Sequence, residues 1–224
     1  MVAILVLLTV IIFLTVDYFV QRGAQRRAAA EASPAGVPTP ADLSEVPGGV
    51  FLAPGHAWVE LRPRGSIRLG ADRLAPSLLG GIDHVDLVPA GSRLRRGDVI
   101  ARLAKGGRSV ELRAPVDGTV RENHFELTEH PAELERDPFA AWLVELVPER
   151  LASALKGMLV AEEARAYMRR ELARLRDALF AANARLSPAP ATAPDGGLPA
   201  EGVAHEVPEE VWAELEERFF GGVS

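Results

Sequence analysis

Two adjacent glycines, Gly106 and Gly107, separate two runs of alternating apolar residues, and they constrain this chain more tightly than any other feature. A two-residue turn of the primed type needs positive φ at both central positions, which glycine adopts without steric cost. Folding the chain there sets Lys105 against Arg108, Leu103 against Val110, Ala101 against Leu112 and Val99 against Ala114. The last three pairs are all apolar. On the opposite face Arg102 meets Glu111, a favourable cross-strand pair. A slip of one residue would mix the two faces, so the pattern itself specifies the register. The expected product is a half-buried hairpin with residues 105–108 at an exposed tip. One role for the tip charges is simply to keep that turn solvated, as most loop charges do.

The hairpin lies within residues 49–147, the stretch densest in strand signals. Ala57-Trp58-Val59, Ser66-Ile67-Arg68-Leu69, His84-Val85-Asp86-Leu87-Val88, Val99-Ile100, Val110-Glu111-Leu112 and Gly118-Thr119-Val120 are short apolar runs punctuated by glycine and proline. That spacing predicts a mainly β sandwich or barrel, interrupted by a helical piece over residues 71–79. Residues 148–186 turn helical: Leu151, Leu155, Met158 and Leu159 recur at helical spacing, then Leu172, Leu175 and Leu179. Residues 187–207 form a Pro/Ala linker. Residues 208–224 predict a short amphipathic helix, with Pro208 suited to its first turn. Val211, Leu215 and Phe219 fall at i, i+4 and i+8, with Trp212 and Phe220 beside them. So short a helix is marginal in water on its own and must bury this face. It either folds back on the chain's own domain or docks in a partner's groove. On the second reading those five residues are the partner-docking candidates.

The amino-terminal end predicts a different environment. Residues 2–16 are apolar apart from Thr9 and Thr15, and Asp17, Tyr18 and Phe19 follow. About 20 helical residues span a bilayer core. Arg22, Arg26 and Arg27 come next, so the positive-inside rule places the bulk of the chain in the cytoplasm and the amino terminus outside. A cleaved signal peptide would carry its basic residues before the apolar run, not after it. Residues 1–20 are therefore expected to be a single-pass transmembrane anchor. Residues 21–48, rich in Ala, Pro, Ser and Glu, are expected to be a flexible tether.

Several chemistries are disfavoured. A formal charge of −6 argues against a nucleic-acid partner, which needs a basic face. The absence of cysteine excludes disulfides, thiolate metal sites and thiol nucleophiles. The five histidines are scattered; only His124 and His130, with Glu126 or Glu129, approach metal-ligand spacing, in an expected loop. Asp83, Asp86 and Glu111 are not paired in any predicted cleft. Gly80-Gly81 and Gly106-Gly107 are turn signals and not phosphate cradles, and there is no nucleophile elbow. No catalytic residue, metal or cofactor is expected, and the chain reads as a binding module and not an enzyme.

The order of landmarks between about residues 56 and 171 resembles the glycine cleavage system H protein family. His56-Ala57-Trp58-Val59 is similar to the family's opening strand, and Ser66-Ile67-Arg68-Leu69-Gly70 to its next. Ala114-Pro115-Val116-Asp117-Gly118-Thr119-Val120 is similar to the strand after its hairpin. Asn123, Asp137-Pro138, Trp142-Leu143 and Ala164-Arg165-Ala166-Tyr167 follow in order. The resemblance implies a lipoyl/biotinyl-like barrel-sandwich hybrid with flanking carboxy-terminal helices. In that family a tip lysine carries lipoate through an amide bond and shuttles an aminomethyl group among the glycine-cleavage enzymes. Without a gap from residue 97 to 114, the family's lysine falls on Gly107, and a glutamate often found three residues earlier falls on Ala104. Lys105 is the nearest lysine, two residues early, and is the displaced candidate for modification. The expectation is a membrane-tethered, unlipoylated relative whose protein partners are unidentified, with glycine-cleavage and lipoyl-handling enzymes as candidates. The alternatives are a lipoate carrier using Lys105 and an efflux-type membrane-fusion subunit. The latter generally inserts a long helical hairpin where this chain has two glycines.

Overall fold

The computed structural model describes residues 44–186 and 202–221. The apolar segment 1–20, most of the expected tether and residues 187–201 lie outside the described residues. Among the described residues no helix is long and apolar enough to cross a membrane.

The hairpin forms as β6 (Val99–Lys105) and β7 (Arg108–Arg113). Its register pairs Lys105 with Arg108, Leu103 with Val110, Arg102 with Glu111 and Ala101 with Leu112. Leu103, Val110 and Leu112 are fully buried, as the alternation requires. The expected pairing of Val99 with Ala114 does not occur. A bulge between Val99 and Ala101 sets Val99 against Arg113 and turns Ile100 into the core. A bulge admits an extra residue on one strand and re-aims the side chains beyond it. Here the strand ends are tied instead by Gly97 N–H to Ala114 O (2.8 Å) and Ala114 N–H to Asp98 O (2.7 Å).

With β4 (His84–Leu87) the hairpin makes a three-stranded antiparallel sheet, ordered β4-β6-β7. The second sheet has seven strands. Its members are β1 (Val50–Leu52), β2 (Ala57–Leu61), β3 (Ile67–Ala71), β5 (Arg93–Leu94), β8 (Gly118–Asn123), β9 (Trp142–Pro148) and β10 (Leu159–Val160). Their order is β10-β1-β2-β3-β9-β8-β5. No helical hairpin is inserted between β6 and β7; two glycines join them directly.

The helices depart from expectation in three places. Within the expected piece at 71–79, α1 occupies only Leu74–Leu79, because Asp72 Oδ1 accepts the Leu74 N–H (2.8 Å) and starts it late. The expected loop around His124 and His130 holds two single turns, α2 (Glu126–Glu129) and α3 (Glu133–Arg136), which bury Leu127 and Leu134. The region 148–186 is not one helical run. It contains α4 (Leu151–Ala154), then β10, then the long α5 (Ala161–Leu186). Glu162 and Glu163 in the first turn of α5 suit its positive end. Beyond residue 201 come α6 (Val203–Glu206) and α7 (Glu209–Phe220).

The apolar core runs across the divisions read from composition. Val46, from the end of the expected tether, joins Trp58, Leu103 and Leu146 from the sheets, Met168 and Leu175 from α5, and Trp212 and Phe220 from α7 in one cluster.

Candidate functional site

The hairpin tip is built by backbone conformation that only glycine adopts freely. Gly106 and Gly107 have φ of 53° and 88°, the left-handed pair that a primed turn demands. Asp83, just before β4, braces the turn by accepting the Gly106 N–H at Oδ2 (3.0 Å). A Cβ at Gly107 would meet nothing within 4 Å, so that position faces open space. A Cβ at Gly106 would lie 3.0 Å from the His205 ring.

Lys105 does not extend along the tip. Its Nζ reaches back over Gly81, where a Cβ would lie 2.6 Å from Nζ and 2.8 Å from Glu135 Oε1. The same Glu135 oxygen accepts the Ile82 N–H (2.6 Å). Arg108 points the other way and is largely covered. It donates from Nη1 to Glu209 and from Nη2 to Val207 O (3.1 Å).

Residues 202–221 supply that cover. Gly202 N–H donates to Ser77 O (2.9 Å), and His205 Nε2 to Leu79 O (3.1 Å). Glu216 Oε1 accepts the Glu111 N–H on the outer edge of β7 in a long contact of 3.4 Å. Burial raises the Glu216 carboxyl above the usual carboxylate range, and the charges of Glu111 and Glu217 add to the effect. The Glu111 N–H and Arg113 oppose it.

The five aromatic and aliphatic candidates on α7 are therefore placed against the chain's own domain. Trp212, Leu215, Phe219 and Phe220 are buried, and Val211 is half-buried and packed on the core. Of the two readings the sequence left open, the structure has the face folded back on the chain's own domain: the amphipathic pattern requires a buried face, and the nearest one belongs to the same chain. Phe220 packs against the ring of His56 (5.2 Å between centroids), itself fully buried with Nδ1 2.8 Å from Asp72 Oδ2.

Several of the remaining sequence candidates have structural partners. His84 pairs with Asp86 (3.0 Å), and Glu111 with Arg102 and Arg113. His124 Nδ1 donates to Trp142 O (2.9 Å), its Nε2 meets Glu126 (3.0 Å), and its ring stacks on Trp142. Among the described residues no group of three metal-capable side chains converges. Sequence reasoning missed Asp83, His205, Glu209 and Glu216 as residues that brace the hairpin or fix the segment covering it. Their partners lie 23 to 126 residues away, and no local pattern marks such a pairing.

A family model described as glycine cleavage H-protein matches residues 51–171, β1 through the first half of α5. A probable glycine cleavage system H protein of Pyrococcus horikoshii is 29% identical over 121 residues, covering 54% of this chain and 90% of that protein. The glycine cleavage system H protein of Aromatoleum aromaticum is 29% identical over 106 residues, covering 47% of this chain and 83% of its own length. The crystal structure of a glycine cleavage system H protein from Mycobacterium marinum superposes with a TM-score of 0.48 at 25% identity, over 55% of this chain and 98% of that one. A match spanning more than half the sequence, over both sheets and the hairpin, means that this chain belongs to the glycine cleavage H-protein family.

Proposed function

We propose that this protein is a membrane-tethered H-protein module that carries no lipoate and works as a binding scaffold. The observation that carries the reading is Gly107, which stands where the family's lysine falls and offers no amine to acylate. The side chain of Lys105 supports it: its amine lies over Gly81 beside Glu135, away from the open end of the turn. Anchoring rests on the apolar residues 1–20 followed by three arginines. Partners are drawn from the glycine-cleavage or lipoyl-handling enzymes, the set implied by family membership.

Intact-mass measurement on protein from cells with a working lipoylation pathway tests the central point. The expected mass is that of the unmodified chain. A lipoyl adduct that disappears in Lys105→Ala would overturn the reading in favour of the second one, a lipoate carrier displaced to Lys105. Family membership and the place of Lys105 in the sequence, directly before the two turn glycines, favour that alternative. Anchoring is tested by membrane fractionation: full-length protein should need detergent for release, and deletion of residues 1–20 should free it. Protease treatment of spheroplasts should leave the domain intact; digestion would place it outside.

A further inference from the structure

Residues 202–221 lie beyond the segment matched to the family, yet they cover Arg108 and the outer edge of the hairpin. They join neither sheet. They are attached through residues 187–201, a stretch with four prolines and two glycines. Their polar contacts with the domain include Arg108 to Glu209 and to Val207 O, the Glu111 edge N–H to Glu216, Gly202 N–H to Ser77 O and His205 to Leu79 O. β7 is one of the two edge strands of its sheet, and an open edge is a template for association unless something shields it.

We propose that residues 202–221 form a detachable clasp, which opens as a unit ahead of the β-domain and uncovers Arg108 and the β7 edge to a partner's acidic amphipathic helix. The closed contacts define that helix. It presents one carboxylate to Arg108 and a second, seven residues later, to the Glu111 N–H, as Glu209 and Glu216 do here. Aromatic residues on its inner face fill the places of Trp212, Phe219 and Phe220. The clasp acts whether or not the tip carries a cargo, so it does not rest on the proposed absence of lipoate.

Two measurements on the full chain test it. The first is native-state hydrogen exchange. Amides of α7 and of Glu111 should exchange at least about tenfold faster than those of β2, β3 and β9, with weaker denaturant dependence, as for a sub-global opening. One common rate for all of them would make α7 an integral element and overturn the clasp. The second uses a labelled synthetic peptide of residues 202–221. It should bind the Trp212→Ala chain roughly tenfold more tightly than the wild type, because the anchor's loss vacates the site. A Glu209→Arg peptide should lose that binding and regain it on a chain carrying Trp212→Ala and Arg108→Glu. Equal binding to wild type and Trp212→Ala, or global unfolding of Trp212→Ala, would overturn the proposal.

Discussion

Gly70 is a glycine because Trp58 fills the space that a side chain would take. A Cβ there would lie 2.3 Å from two ring atoms of the indole. The ring cannot step aside: it is buried, and its Nε1 donates to Pro138 O (2.9 Å). Gly70→Ala should therefore cost about 3 kcal/mol, the upper range of overpacking. The expected readout is a lower denaturant midpoint at unchanged slope. Tyr167 makes a second prediction at this scale. Burial pushes its hydroxyl up to about 12, with the charges of Glu171 and Asp72 adding. The fold therefore favours the neutral phenol, and this contribution is complete below the unfolded value near 10. It is lost as pH rises through about 12. Ultraviolet titration should show a late-ionising tyrosine that disappears in Tyr167→Phe.

At the scale of elements, the clearest contrast is between the hairpin and α7. The hairpin is a local object, with a two-residue turn and alternation in register, and its inner pairs follow from spacing. Its base does not, because the bulge at Val99–Ala101 answers to the ties between Gly97, Asp98 and Ala114. The amphipathic pattern of α7 shows that one face must be buried without showing where. Glu216 offers a test of its seat on β7. Its carboxyl is raised by burial and by the neighbouring carboxylates, so the folded state holds the proton more tightly than the unfolded chain. The stabilisation is full below the ordinary carboxylate value of about 4.3 and fades as pH rises through the raised one. Exchange of α7 amides, corrected for intrinsic rates, should quicken over that window. Glu216→Gln should abolish the dependence while keeping an acceptor for the Glu111 N–H.

On the scale of the whole molecule, the chain keeps the H-protein family's domain, and the tip of its hairpin holds Gly107. Space remains there, since a Cβ at Gly107 meets no neighbour. Gly107→Lys should fold, at a cost of about 1–2 kcal/mol for a side chain at positive φ. A lipoyl ligase should then add one lipoyl group to Gly107→Lys and none to the wild type, as read by intact mass. Failure of the variant to accept lipoate would show that the tip has lost more than its lysine.

From sequence alone follow the mainly β domain, the hairpin with its inner register, the two turn glycines at its tip, and the need of α7 to bury an aromatic face. These are legible because period-two alternation, turn glycines and helical spacing act over a few residues. Tertiary structure alone decided the bulge below Val99, the retreat of Lys105 to Gly81, the bracing of the turn by Asp83 and the closure of α7 over Arg108 and β7. Each of these depends on groups that are remote in sequence and meet only when the two sheets, α5 and the carboxy-terminal segment pack around one core.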